Sequence, residues 1–288
     1  MAPPFLLCRA FCMENMMSVR EKNRRIASNF TASYTWYQAH NPAYTVKRVE
    51  DMVCAYASGS LIDFNVAMPF IENGEGAPLP AAEWDFWLRN VEAVQEFFAD
   101  RASPFSFWAM QQDGEIMPDP GQAGFSHQGV YTGQYLELER LVLKEAEGLD
   151  VRRVASRVDI VAFADLIGLG WNMPSAPYRE FFVAQEPWLL AKDCVKELYI
   201  GWSGGQAACC MELFVQPEEK VGGVYYVTTH KDFRRRGLAA ALQSGVLDGA
   251  RRRGFSGATV VSEPDECRLL RSIGFVDCAL WYEYVCEG

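Results

Sequence analysis

Hydrophobic positions in the second half of the chain alternate with two periods. Cys194–Trp202, Ala207–Gln216 and Val221–Thr229 read as strands, and the Ser203-Gly204-Gly205-Gln206 turn makes the first two a hairpin. Arg235–Arg253 has a different period. Leu238, Ala241, Leu242, Gly245, Val246, Gly249 and Ala250 recur at steps of three and four, which predicts a helix with one narrow apolar face. Four of those seven are Gly or Ala, so the helix can lie close to a sheet, and Gly254 fits its C-terminal cap. Asp159–Ile167 and Tyr178–Lys192 read as earlier helices, Ala258–Ser262 as a strand, Asp265–Ile273 as a short helix and Cys278–Cys286 as a last strand.

The first half is less regular. Val46, Val49, Met52, Val53 and Tyr56 fall on a helical stripe, which predicts a helix over Thr45–Ser58. Leu61–Met68 alternates as a strand with one buried face, and Trp84–Ala99 reads as a helix bearing Trp87, Val91, Val94 and Phe98 on one side. Phe105–Met110 is a short strand, Glu72–Pro80 and Gln111–Gly129 have the content of loops, and Tyr135–Leu143 suits either helix or strand. Glu145–Val151 is the expected boundary, giving an N-terminal α/β domain over 1–149 and a second domain over 150–288. The fold class expected is α/β, with a mixed sheet.

Composition narrows the function. The 288 residues are 50% hydrophobic, enough for a full core, and the net charge is −10, which counts against nucleic acid as a partner. The charge is uneven. Residues 221–288 hold nine Lys/Arg against eight Asp/Glu, and residues 1–220 hold eighteen against twenty-nine. No apolar run reaches the length of a membrane helix, and Met1–Arg9 lacks the form of a signal peptide. Nine cysteines without a C-x-x-C, and His40, His127 and His230 far apart, suggest neither a disulfide framework nor a zinc site. The adjacent Cys209 and Cys210 sit in an apolar run and are expected to pack as small hydrophobes. A reduced, cytoplasmic protein is expected, without metal and off the membrane.

Two motifs carry candidate chemistry. Gly201-Trp202-Ser203-Gly204-Gly205 has the letters of a hydrolase nucleophile elbow, but a strand follows where that motif needs a helix, so a hairpin turn is expected. Arg234-Arg235-Arg236-Gly237-Leu238-Ala239 lies between a strand and the N-terminus of the long helix. First-turn amides there lack intrahelical partners, and Gly237 has no side chain to keep an anion off them. Such a string arises by chance in roughly one chain of this length in seven. Its placement is what makes it telling.

Residues 221–275 resemble the core of the GNAT superfamily, the GCN5-related N-acetyltransferases. Arg234, Gly237 and Ala239 fill the family's R/Q-x-x-G-x-G/A motif, and Glu263-Pro264 with Leu269–Phe275 resembles its later segment. Lys231 stands where a Pro is common. The resemblance implies a GNAT fold over 150–288, with a degenerate GNAT-like copy before it. It implies acetyl-CoA held by the backbone of Val227, Thr228 and Thr229 and by the loop and first turn Arg234, Arg235, Arg236, Gly237, Leu238, Ala239 and Ala240. Arg235, Arg236 and Lys231 would reach the phosphates as side chains. Leu270 occupies the position of the family's thiolate-protonating Tyr, and Gly223 that of its basic Glu. The catalytic residues are therefore unassigned. Glu212, Tyr225, Tyr226, Tyr282 and Tyr284 are candidates to substitute, with packing as the competing role for each. The function implied is acetyl transfer from acetyl-CoA to a primary amine by direct attack. The alternatives are an acyl-CoA-binding sensor with little turnover, and a transferase using a longer acyl-CoA or an aminoacyl-tRNA. Acceptor and oligomeric state stay open, a homodimer included.

Overall fold

A computed structural model describes residues 17–57, 62–71, 84–101, 103–111 and 124–287. The signal-peptide reading of Met1–Arg9, the loop 72–80 and most of the loop 111–129 lie outside the described residues. The elements form one mixed sheet of eleven strands flanked by helices. In the first half come α1 (Val19–His40), β1 (Thr45–Val49), β2 (Met52–Tyr56), β3 (Val66–Pro69), α2 (Trp84–Ala99), β4 (Phe105–Gln111) and β5 (Ser126–Glu137). Next are β6 (Leu149–Arg153), α3 (Arg157–Gly170), α4 (Ser175–Ala184), α5 (Glu186–Leu189), β7 (Lys196–Ser203) and β8 (Gln206–Gln216). The chain closes with β9 (Val221–Thr229), α6 (Leu238–Arg252), β10 (Gly257–Ser262), α7 (Cys267–Ile273) and β11 (Val276–Cys286).

The strand order is β1-β2-β3-β4-β11-β5-β10-β9-β8-β7-β6, and its middle is nearly palindromic. Outward from the antiparallel β11–β5 pair, each side has a parallel pair, β4 with β3 and β10 with β9, then antiparallel strands. A helix connects each parallel pair, α2 on one side and α6 on the other. The two halves thus repeat one strand–helix order. Each also places its last strand against the other half: β5 bonds to β10, and β11 bonds to β4.

Local chemistry explains where the strand and helix expectations fail. The stripe over Thr45–Ser58 is a hairpin. Val49 pairs with Met52 across Glu50-Asp51, Glu50 has φ 49°, and Met52 and Cys54 face inward. Leu61–Met68 is strand only from Val66. Ile62–Phe64 forms a 3₁₀ turn, and the Asn65 side chain accepts from Ala57 N–H at 3.0 Å and donates to Ser103 Oγ at 2.9 Å. The helix expected from Arg235 starts at Leu238, because Arg235 (φ 64°) and Gly237 (φ 76°) are left-handed. Tyr178–Lys192 divides at Gln185, ahead of Pro187.

Helix α1 is absent from the hydrophobic pattern because polar residues are interleaved with Ile26, Phe30, Trp36 and Tyr37 among its buried positions. Arg24, Asn29, Ser33 and Gln38 are all at most 2% exposed. Ser18 caps its start by accepting from Glu21 N–H at 3.2 Å. Arg24 holds Glu219 with two bonds, 2.9 and 2.6 Å, tying the helix to the β8–β9 turn. Phe30 meets Trp108 and Trp281 edge-on at 5.0 Å, joining α1 to β4 and β11. No described helix is long and apolar enough to cross a membrane.

Candidate functional site

β9 and β10 pair in parallel over three positions, Val221–Gly223 against Gly257–Thr259, and diverge beyond them. A one-residue bulge lies on the other edge of β9. Between the pairs Cys210↔Thr228 and Glu212↔Tyr225, β8 advances two residues and β9 three, and Tyr226 has φ 50°. The diverging segment has its β10-side backbone groups free of the parallel ladder, and two connected cavities open there.

The first cavity, about 310 Å³, is lined by Val227, Thr228, Thr229, Arg234 and Ala239 among the expected residues, with Leu269 and Leu270 of α7 opposite. Gly237 precedes α6 without a side-chain cap, so the first-turn amides stay open. A Cβ at Gly237 would meet nothing within 4 Å, and the left-handed φ is what calls for glycine. Arg235 and Arg236 stand exposed beside this turn. Arg234 is bound locally, donating to Thr229 O at 3.0 Å and Gly170 O at 2.9 Å, so it braces the end of β9 against α3. Leu238 turns into the core at 3% exposure, and Ala240 is half-buried against it.

The second cavity, about 470 Å³, shares Gly170, Trp171, Val227, Val260 and Glu266 with the first. Its walls carry four carboxylates, Asp63, Glu263, Glu266 and Glu283, and no Lys, Arg or His among the described residues. Tyr131 Oη donates to Glu283 at 2.8 Å, and Tyr178 Oη to Asp63 at 3.1 Å. Burial pushes Glu283 up to about 7 against the Tyr131 hydrogen bond, with the Asp63 charge adding to the rise. Asp63 is raised by burial, which its bond from Tyr178 opposes. Glu266 also reaches about 7, first from the protein packed around it and then from Glu263, although its side chain still meets solvent at the mouth.

Most of the expected substitutes are engaged elsewhere. Glu212 is fully buried outside both cavities, paired with Lys196 at 2.5 Å and accepting from Tyr37 and Ser33. Tyr282 donates to Gln111 at 3.0 Å, and Tyr284 is buried on β11; neither lines either of these two cavities. Tyr225 and Tyr226 do line the second cavity, Tyr225 with its hydroxyl donated to Asn29 at 2.7 Å. That bond explains Gly223, where a Cβ would stand 1.8 Å from Asn29 Oδ1. The carboxylates escape a sequence reading because they come from a 3₁₀ turn, a strand end, a helix start and β11, with no shared motif. The Gly201–Gly205 string is a hairpin turn, with Gly204 and Gly205 both left-handed as a type I′ turn requires. Cys209 and Cys210 are both fully buried.

Residues 165–275 match the family described as Acetyltransferase (GNAT) family. Among solved structures, the chain is similar to a GCN5-related N-acetyltransferase from Kribbella flavida: 16% identity, TM-score 0.64, over 91% of this chain and 96% of that one. A functionally unknown conserved protein from Staphylococcus epidermidis gives 13% identity and TM-score 0.61, over 88% and 97%. A tandem GNAT protein from the clavulanic acid biosynthesis pathway gives 11% and 0.56, over 94% and 97%. These identities speak to the fold. No protein with a curated description matches the sequence. Residues 165–275 thus match a GNAT-family domain, and the fold over most of the chain is similar to that of the solved GNAT structures.

Proposed function

We propose that the protein is an N-acetyltransferase that moves acetyl from acetyl-CoA to a primary amine. The observation that carries this is the meeting of the two cavities at Val227, Val260 and Glu266, beside the diverging strands. The uncapped start of α6, with Arg235 and Arg236 beside it, suits the pyrophosphate, and the β9 backbone at Val227–Thr229 suits the pantetheine arm. Acetyl-CoA supplies an activated thioester: the acceptor nitrogen gains the amide N–C bond, the C–S bond breaks, and the nitrogen's proton ends on the thiol. Backbone amides of β9 beyond the end of its ladder with β10 would hydrogen-bond the carbonyl oxygen as it gains charge. Glu266 lines both cavities, and a carboxylate titrating near 7 is suited to take the acceptor's proton. Leu270 offers no proton to the departing sulfur. A thiolate with a conjugate acid near pKa ~8.5 is a good enough leaving group to depart unassisted.

Titration of acetyl-CoA into the protein by calorimetry tests the assignment. The unsubstituted chain is expected to bind, and Gly237→Glu or the double change Arg235→Glu/Arg236→Glu to abolish binding. Undiminished binding by these variants would refute the site. Amine-dependent thiol release above the hydrolysis blank distinguishes a transferase from a sensor. Cytoplasmic residence, and the reading of residues 1–149 as a degenerate GNAT-like copy beside a transferase domain at 150–288, belong to the same proposal.

A further inference from the structure

The second cavity is more specific than amine transfer requires. Four carboxylates face it from three parts of the fold: Asp63 beside β3, Glu263 and Glu266 after β10, and Glu283 on β11. No described cation lines it. The charges of Asp63 and Glu263 both oppose ionisation of Glu283, so these groups share one field, and a bound cation would relieve their repulsion. A cluster of acids alone does not make a site. Here a second feature points the same way. Tyr226 lines the cavity at 9% exposure, held left-handed by the bulge, and its hydroxyl has no hydrogen-bond partner among the described residues. The residue is packed while its hydroxyl is left to the cavity, where a ligand's donor completes its bonding.

The remaining walls define the ligand's shape. Tyr34, Trp108, Tyr131, Trp171 and Tyr225 present aromatic surface, which packs methylene groups and attracts ammonium ions. Among the described lining residues, Ser106 and Ser262 are the non-aromatic hydroxyls, few to bond a sugar ring. Carboxylates at separate points joined by aromatic surface complement charged ends joined by an alkyl chain.

Resting on the transferase reading, we infer that the acceptor is an alkyl diamine or polyamine, one amine presented at Glu266 and a distal ammonium held by Asp63 and Glu283. A monoamine of the same length lacks the second charge and forgoes the distal pair. Much of this subsite comes from the first half of the chain, through Tyr34, Asp63, Ser106, Trp108 and Tyr131. That half thereby sets acceptor choice for a transfer centre in the second.

Thiol release from acetyl-CoA, with 1,4-diaminobutane, spermidine or n-butylamine as acceptor, tests this on the full chain. We expect kcat/KM for the diamine or for spermidine to exceed that for butylamine by at least tenfold. In Asp63→Asn/Glu283→Gln the preference is expected to fall to within about twofold, with KM carrying the change. Calorimetric titration of spermidine alone is expected to show saturable binding that added salt and the double variant both weaken. Equal efficiency for diamine and monoamine, or a preference that survives the double variant, overturns the inference while leaving the transferase reading intact. Failure of the unsubstituted chain to bind acetyl-CoA overturns both. A folding defect in the double variant is detected by circular dichroism. The unsubstituted chain's diamine-to-monoamine ratio then decides alone.

Discussion

Glu212 is a candidate acid in the sequence, on a strand near the expected cleft with packing as its competing role, and its structural role yields a sharp prediction. Its carboxylate is fully buried, with Lys196 Nζ at 2.5 Å, Tyr37 Oη at 2.9 Å and Ser33 Oγ at 3.1 Å. Lys196, 1% exposed, also donates to Ser33 at 2.9 Å and lies 4.3 Å from the centre of the Tyr37 ring. Glu212→Gln keeps the shape and removes the charge, leaving the ammonium without its counter-ion. Breaking such a buried pair from one side costs about 3–5 kcal/mol. Burial already pushes Lys196 down, so it sheds its proton rather than bear the whole loss, which favours the lower figure. At about 2 °C per kcal/mol for a chain of this size, the midpoint should fall by about 6–10 °C. Lys196→Met/Glu212→Leu should recover part of this; the Ser33 and Tyr37 hydroxyls lose a partner, at about 1–3 kcal/mol each. Differential scanning calorimetry reads the loss, and kcat at a temperature where both proteins are folded should change by less than about threefold. A variant of unchanged midpoint whose kcat falls a hundredfold would refute the structural assignment and return Glu212 to the chemistry.

Other outcomes follow from the carboxylates. Glu283 and Glu266 have folded pKa values near 7, above the usual carboxylate range, so the native state binds the extra protons between about pH 4.5 and 7. Their contribution to stability is greatest at the acidic end and falls as pH rises through that window, water screening part of the effect at exposed Glu266. Thermal midpoints measured across it should decline, and Glu283→Gln should flatten the slope; a slope unchanged in the variant would refute this. Glu21 and Asp277 are shifted downward and titrate below the window, so they leave its sign alone. Glu266→Gln should lower kcat by about 10²–10⁴-fold and abolish the rise of kcat/KM with pH that ends near 7, which stopped-time thiol assays would record.

The second half was legible because its faces are segregated. Val221–Thr229 is a strand in both sequence and structure, and the start of α6 was marked by a glycine that the backbone needs at φ 76°. Helix α1 was hidden because buried polar residues that hydrogen-bond, Arg24, Asn29 and Ser33, break up the apolar stripe of Ile26, Phe30 and Tyr37. A signal was present nonetheless. Ser18-x-x-Glu21 has the form of a capping box, and no Gly or Pro follows through His40. The Thr45–Tyr56 hairpin was misread because its two-residue turn, Glu50-Asp51, lacks the usual Asn or Gly, while Val49, Met52 and Tyr56 fall by chance at helical spacing. The proposed phosphate-binding loop is contiguous and has a motif; the acidic cavity is assembled across the sheet and has none.

That assembly has a consequence for the halves themselves. β5 precedes residue 150, yet it lies between β10 and β11, pairing Thr132–Glu137 with Ser262–Gly257 on one edge and Ser126–Tyr135 with Val285–Val276 on the other. A chain starting at residue 150 would keep the proposed acetyl-CoA motif and lose the strand joining β10 to β11. Both strands would then expose unpaired edges flanking the buried Trp281, whose ring fills the space beside Gly133 and meets Phe30 of α1. The truncated chain should aggregate or lack a cooperative transition by near-ultraviolet circular dichroism. Adding residues 124–149 back should restore the β10–β5–β11 ladder but not Asp63, Trp108 or α1. Binding of acetyl-CoA is thus expected to be separable from the acidic cavity only in the longer fragment. A soluble 150–288 fragment that unfolds cooperatively would show that β5 is dispensable, and would break the link between the shared strands and the shared site.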